Sequence, residues 1–151
     1  MTNLHRIELL HCEENSPYLA QLDQLFQSEW SDFRLCDAYT KNANLPPVLV
    51  AVVDDVVIGG LAYSRFKEPH RNGEVIWVNA VFVSVEHRNK GIASQLINAG
   101  VSQTLESSQD YLYVYTNVPK LYQSLGWSEV DIESEPDHKV MRISLKSRLP
   151  V

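Results

Sequence analysis

The chain has 151 residues, 44% of them hydrophobic and 21% charged, a size and balance that allow one sizeable core and exclude a disordered polypeptide. Its 13 basic and 19 acidic residues give a formal net charge of -6, which excludes a general nucleic-acid binder, because that needs a basic face, and favours cationic partners such as amines. No basic-then-apolar leader opens the sequence and no stretch is apolar for long enough to span a bilayer, so a cytoplasmic protein without membrane attachment is expected. The two cysteines, Cys12 and Cys36, form no CxxC pair and read as small apolar packing groups. The five histidines show no HxxxH or HExxH spacing, so no metal site is expected.

Residues 4–10 read as a first strand. Ser16-Pro17 then opens a helix, with serine as N-cap and proline in the first turn, and Leu19, Leu22, Leu25 and Phe26 make its apolar stripe. Residues 31–45 suggest a second short helix and a loop, ended by Pro46-Pro47. The β-branched run 48–53, the turn Asp54-Asp55 and the run 56–66 read as a hairpin. The polar segment 67–73 is a loop, and 74–83 (EVIWVNAVFV) a long strand. Apolar residues at 92, 93, 96, 97, 101 and 105 predict a helix packed on a sheet. A short strand over 111–115, a short helix over 119–125 stopped by Gly126, and strands over 127–132 and 139–145 complete the chain. There is no internal repeat, so a single domain over 1–151 is expected. The predicted order is β, α, α, β, β, β, α, β, α, β, β: an α/β (α+β) mixed sheet of six to seven mostly antiparallel strands, with one central βαβ crossover and about four helices.

The segment with most chemistry in it is 81–93, VFVSVEHRNKGIA. An apolar strand runs through a short polar loop straight into a helix. The first amides of a helix have no internal partner and carry partial positive charge, so they can hold a phosphate. Gly91 places no Cβ in the way of a ligand. Arg88 and Lys90 add full charges, and Ser94 offers a hydroxyl in the first turn. The device reads as a pyrophosphate cradle, although a glycine at an ordinary βα turn would look the same in isolation.

Arg88-Asn89-Lys90-Gly91-Ile92-Ala93 fits the Q/R-x-x-G-x-G/A signature of the GNAT (GCN5-related N-acetyltransferase) superfamily, and the later stretch Asn117 to Trp127 is similar to that family's N-x(4)-Y-x-x-L-G-F/W segment. The resemblance covers residues 48–130 by motif and the N-terminal third by topology alone. It implies an acetyl-CoA-dependent N-acetyltransferase that transfers acetyl directly to a primary amine in a ternary complex. It also implies residue roles. The backbone of Val81, Phe82 and Val83 would pair with the pantetheine arm like an added strand. The central strand would be bulged and splayed from its parallel neighbour. The backbone of Arg88, Asn89, Lys90, Gly91, Ile92 and Ala93, with Ser94, would hold the diphosphate. Asn117 would touch the cofactor arm, or serve only as a helix cap before Pro119. Tyr122 would stand near the thioester sulfur as general acid, its alternative being a core tyrosine. A strand amide near Val83 would polarise the carbonyl.

The general base is less defined. Family members place a carboxylate on the central strand, where this chain has Trp77 and Asn79. Glu74 is the nearest strand carboxylate and Glu68 a loop candidate, with a water chain ending at Asn79 or a backbone carbonyl as the alternative. A non-catalytic acyl-CoA-binding sensor of the same fold is the competing reading. A small amine or a peptide or protein amine would be the acceptor, shaped by 16–45 and 127–145, and a homodimer is compatible with the sequence. Trp30, Phe33 and Trp77 read as core or groove wall.

Overall fold

The computed structural model of the chain describes residues 6–13, 15–35 and 44–146. In chain order these form β1 (Glu8–Cys12), α1 (Pro17–Glu29), β2 (Val48–Val53), β3 (Val56–Lys67), β4 (Glu74–Val83), a 3-10 turn (Val85–His87), α2 (Ile92–Thr104), β5 (Tyr111–Thr116), α3 (Pro119–Ser124), β6 (Ser128–Glu129) and β7 (Lys139–Ser144). All seven strands lie in one sheet of order β1-β2-β3-β4-β5-β7-β6. Every neighbouring pair is antiparallel except β4 and β5, which are parallel and joined by α2. No helix among the described residues is long and apolar enough to cross a membrane.

Local chemistry accounts for most element boundaries. Ser16 caps α1, its Oγ accepting from the Tyr18 amide at 3.2 Å, and Pro17 opens the first turn. Asp54 and Asp55 both take positive φ, 51° and 67°, the paired left-handed conformation that lets a two-residue turn follow the twist of a hairpin. The long strand 74–83 and the start of α2 at Ile92 fall where the residue pattern places them.

The differences lie at the ends. Among the described residues the first strand is Glu8–Cys12, running past the expected end at Leu10, because pairing with the six-residue β2 sets Glu8 against Val52 and Cys12 against Val48; positions 4 and 5 of the expected strand lie outside the described residues. The strand expected over 127–132 shrinks to Ser128–Glu129. Its last ladder bond is Val130 N–H to Val140 O at 2.8 Å, after which the acidic segment leaves the sheet. Three α-helices stand among the described residues where about four were expected. The further helix expected over 31–45 lies mostly outside the described residues, as does Cys36. Cys12 is buried, and burial pushes its thiol up, as suits a packing group.

The sheet buries both faces. On one, α1 lays Leu22 and Phe26, both 0% exposed, against Ala62, Ala80 and Phe82; such burial contributes about 1.5–3 kcal/mol for each large side chain. On the other, α2 packs Ile92, Leu96, Ile97 and Val101 against Leu61, Val78, Leu112 and Val114. The approach of α1 depends on Gly60. A Cβ there would meet the Leu22 methyl carbons at 2.5 and 2.7 Å and the Leu49 carbonyl oxygen at 2.7 Å. Gly60→Ala is therefore expected to cost about 1–3 kcal/mol by overpacking, read as a lower urea midpoint at unchanged slope.

Candidate active site

The site begins with a defect in the sheet. β3 and β4 pair in one register from Gly59↔Val83 to Ala62↔Ala80 and in another from Tyr63↔Val78 onward, so Asn79 is the extra residue of a β-bulge. β4 meets β5 only at Trp77↔Tyr113 and Val78↔Val114. Beyond these pairs the two parallel strands part, and β4 from Asn79 to Val83 has β3 on one side and no strand on the other. Thus the sheet has an internal gap, edged by main-chain groups of β4 and β5.

Past Val83 the chain enters the polar loop. Asn89 (φ 64°) and Gly91 (φ 79°) are both left-handed, a conformation that glycine adopts without strain and asparagine tolerates. A Cβ on Gly91 would meet nothing within 4 Å, so the turn faces open space. The first helical hydrogen bond of α2 is Gln95 N–H to Gly91 O at 3.1 Å. The amides of Gly91, Ile92, Ala93 and Ser94 precede it and are the orphan donors of the helix start. They border a cavity of about 240 Å³ lined by Val83, Arg88, Asn89, Gly91, Ser94 and Leu121, among others. Arg88 is more than a loose surface charge. Its Nε donates to Val83 O at 2.8 Å, and its guanidinium carbon lies 5.2 Å from the Phe82 ring centroid, which fixes a cation at the end of β4. Lys90 is exposed.

Tyr122 sits on α3 and packs into the core shared with Val83, Ile92 and Leu96. Its ring is 3% exposed and stands edge-on to Trp127, centroids 5.0 Å apart. Burial pushes its hydroxyl well above the usual tyrosine range. The core-packing reading of this residue is therefore seen; the cavity at the helix start is bordered by its neighbour Leu121 and not by Tyr122. Asn117 is exposed and is not the cap of α3, which is Val118, without a side-chain cap bond.

On the opposite face of the same gap lies a cavity of about 860 Å³, bordered by Asn79 on β4, Tyr115 on β5, the β3–β4 loop and the segment after β6. Trp77 forms part of its wall, with Nε1 donating to Phe66 O at 3.3 Å. Glu68 also lines it, although only 6% exposed. The Tyr113 hydroxyl donates to Glu68 Oε2 at 2.8 Å and Arg71 Nη1 lies 3.6 Å from the same oxygen. Oε1 has no bonding partner among the described residues. Glu74, by contrast, opens β4 at its end remote from Val83, is exposed, pairs with Lys67 and borders neither cavity. A strand rises about 3.3 Å per residue, so Glu74 is held far from the gap. Trp30, 41% exposed, leans on Phe26 and Phe82 away from both cavities.

The Glu68 partner Tyr113 has its hydroxyl pushed up to about 12, first by burial and then by the carboxylate it donates to. The folded form keeps this proton between pH 10 and 12 while the unfolded chain loses it, so this residue's stabilising contribution is lost as pH rises through that window. Tyr113→Phe is expected to flatten the alkaline fall in stability relative to the parent, measured as urea midpoints from pH 9 to 12.

Sequence reading missed Tyr113, Leu121 and the acids after β6 as site residues. Tyr113 reads as an ordinary strand aromatic, and only the tertiary fold brings it to Glu68. The acids carry a visible signal, their alternation at 129, 131, 133, 135 and 137.

The family model for the acetyltransferase (GNAT) domain matches residues 45–129, and the chain belongs to this family, which carries out acyl transfer from coenzyme A. Among solved structures, the chain is similar to the GNAT family N-acetyltransferase YhbS of Escherichia coli in complex with CoA, with a TM-score of 0.74 at 19% identity over 97% of this chain and 86% of that one. It is also similar to Arabidopsis thaliana Naa50 in complex with the bisubstrate analogue CoA-Ac-MVNAL, with a TM-score of 0.67 at 20% identity over 91% and 98%. At such identities the likeness is one of fold. No curated protein matches the chain in sequence.

Proposed function

We propose that this protein is an acetyl-CoA-dependent N-acetyltransferase acting as a single domain on a primary amine, with cofactor and acceptor entering the gap from opposite faces of the sheet. The observation that carries the reading is the row of orphan amides from Gly91 to Ser94, opening on a cavity at the end of a strand that has lost its neighbour. Those amides, with the fixed charge of Arg88, suit a diphosphate. The free edge of β4 at Val81, Phe82 and Val83 suits the amides of a pantetheine arm. Bound there, acetyl-CoA supplies an activated acyl carbonyl.

The residues divide the remaining work. Glu68 faces the acceptor cavity with one uncommitted oxygen, Oε1, held in place by Tyr113. It takes the proton that an ammonium must lose before the nitrogen can attack, a role its position favours over Glu74. Tyr122 keeps its proton at any working pH because burial disfavours the phenolate, and it delivers that proton to the departing sulfur.

The test is release of free thiol from acetyl-CoA across a panel of amines. Amine-dependent release is expected; tight acetyl-CoA binding without release would mean a sensor instead. Glu68→Gln keeps an acceptor for Tyr113 and is expected to lower kcat/KM by about 100-fold, the usual scale of a lost proton-transfer group. Glu74→Gln is expected to leave it unchanged.

A further inference from the structure

Within the proposed acetyltransferase reading, we infer that the acceptor is a small linear amine with a second cationic centre, a diamine or polyamine, whose far end is held by Glu133 and Glu135. The segment that starts at the last residue of β6, EVDIESEPD, holds five acids in nine residues, Glu129, Asp131, Glu133, Glu135 and Asp137. Lys139 pairs with Glu129 at 3.4 Å, whereas Glu133 and Glu135 are exposed and line the 860 Å³ cavity. Two contacts hold the segment over that cavity. His70 Nε2 bonds Asp131 O at 2.7 Å, and the Glu135 amide donates to the Tyr115 hydroxyl at 3.0 Å. The main chain that carries these acids is therefore held at the edge of the cavity.

The cavity has the layout such a molecule needs. Glu68 is the buried carboxylate with an oxygen left over. Phe66, Trp77 and Tyr115 give an aromatic surface along which methylenes can lie. Glu133 and Glu135 stand on the segment that covers it. Lys67 is the one cationic side chain among the lining residues, against three glutamates. A monoamine would satisfy Glu68 and leave the outer acids to water, whereas a second ammonium answers them. The volume is within the range of small-molecule sites, and the exposed position of the outer acids means that salt should weaken their pull.

The probes are hexylamine and 1,6-diaminohexane, with the full chain and the double variant Glu133→Gln/Glu135→Gln, read by thiol release and by calorimetry of the amines without acetyl-CoA. The diamine is expected to show a KM and a Kd at least roughly tenfold below those of hexylamine, an advantage of two partly solvated ion pairs, shrinking as salt rises. The double variant should raise both constants for the diamine about tenfold and leave kcat and all hexylamine values in place. Equal handling of the two amines, or a double variant that binds the diamine like the parent, overturns the inference. Thiol release with neither amine, alongside diamine binding that the double variant loses, sinks the transfer reading and leaves the cation site standing.

Discussion

Replacing Gly91 with glutamate is expected to weaken acetyl-CoA binding by at least about 100-fold, or ~2.7 kcal/mol, while the protein stays folded. The two effects separate cleanly at this position. The added Cβ meets nothing within 4 Å, so the folding cost is confined to holding a non-glycine residue at φ 79°, about 1–2 kcal/mol. The carboxylate, however, would occupy the space in front of the orphan amides, taking their hydrogen bonds and repelling a diphosphate. Gly91→Asn is the control, since asparagine tolerates the left-handed region and brings no charge; it should lose about tenfold or less. Isothermal calorimetry measures both. Unaltered affinity in the glutamate variant would remove the cradle from the cofactor site.

Tyr122→Phe is expected to lower kcat by about 100-fold or more, the scale of general acid catalysis, with KM for acetyl-CoA changed little. The substitution keeps the ring, and with it the edge-on contact to Trp127 at 5.0 Å, so the melting temperature should hardly move. A merely structural tyrosine would give the reverse pattern, lower stability and an intact rate. Thiols that leave more easily should be less affected: the variant should recover activity when a low-pKa thioester replaces acetyl-CoA, because such a leaving group needs no proton. An unchanged kcat would take Tyr122 out of the chemistry. The parent rate should rise with pH up to the point where the amine is neutral and show no loss from Tyr122 across that range, since burial keeps its proton on.

The hairpin at Asp54-Asp55, the strand over 74–83 and the helix from Ile92 with Gly91 at its start were legible because each rests on neighbours in sequence: alternation, turn chemistry, a glycine before a helical stripe. What was not legible rests on pairing across the sheet. The length of β1 is dictated by β2, and the shortness of β6 by where its ladder with β7 runs out. The general base shows the same limit. Glu74 and Glu68 are six residues apart in sequence and look alike there, but one ends on an exposed strand start and the other under Tyr113, beside the gap. Asn79, on the strand where the family pattern has a carboxylate, is the bulged residue and also borders the larger cavity.

The parting of β4 from β5 has a consequence for how the molecule breathes. The centre of a sheet is ordinarily the slowest place for an amide proton to leave, yet here the main chain from Asn79 to Val83 has a strand on one flank only. Half of those peptide groups have no strand partner on the gap side, so deuterium should enter there as it would at an outer strand, and a ligand laid along that flank should shut it out. The fold thus keeps an unpaired strand edge at its middle, with β3 on one flank and β5 across the gap on the other.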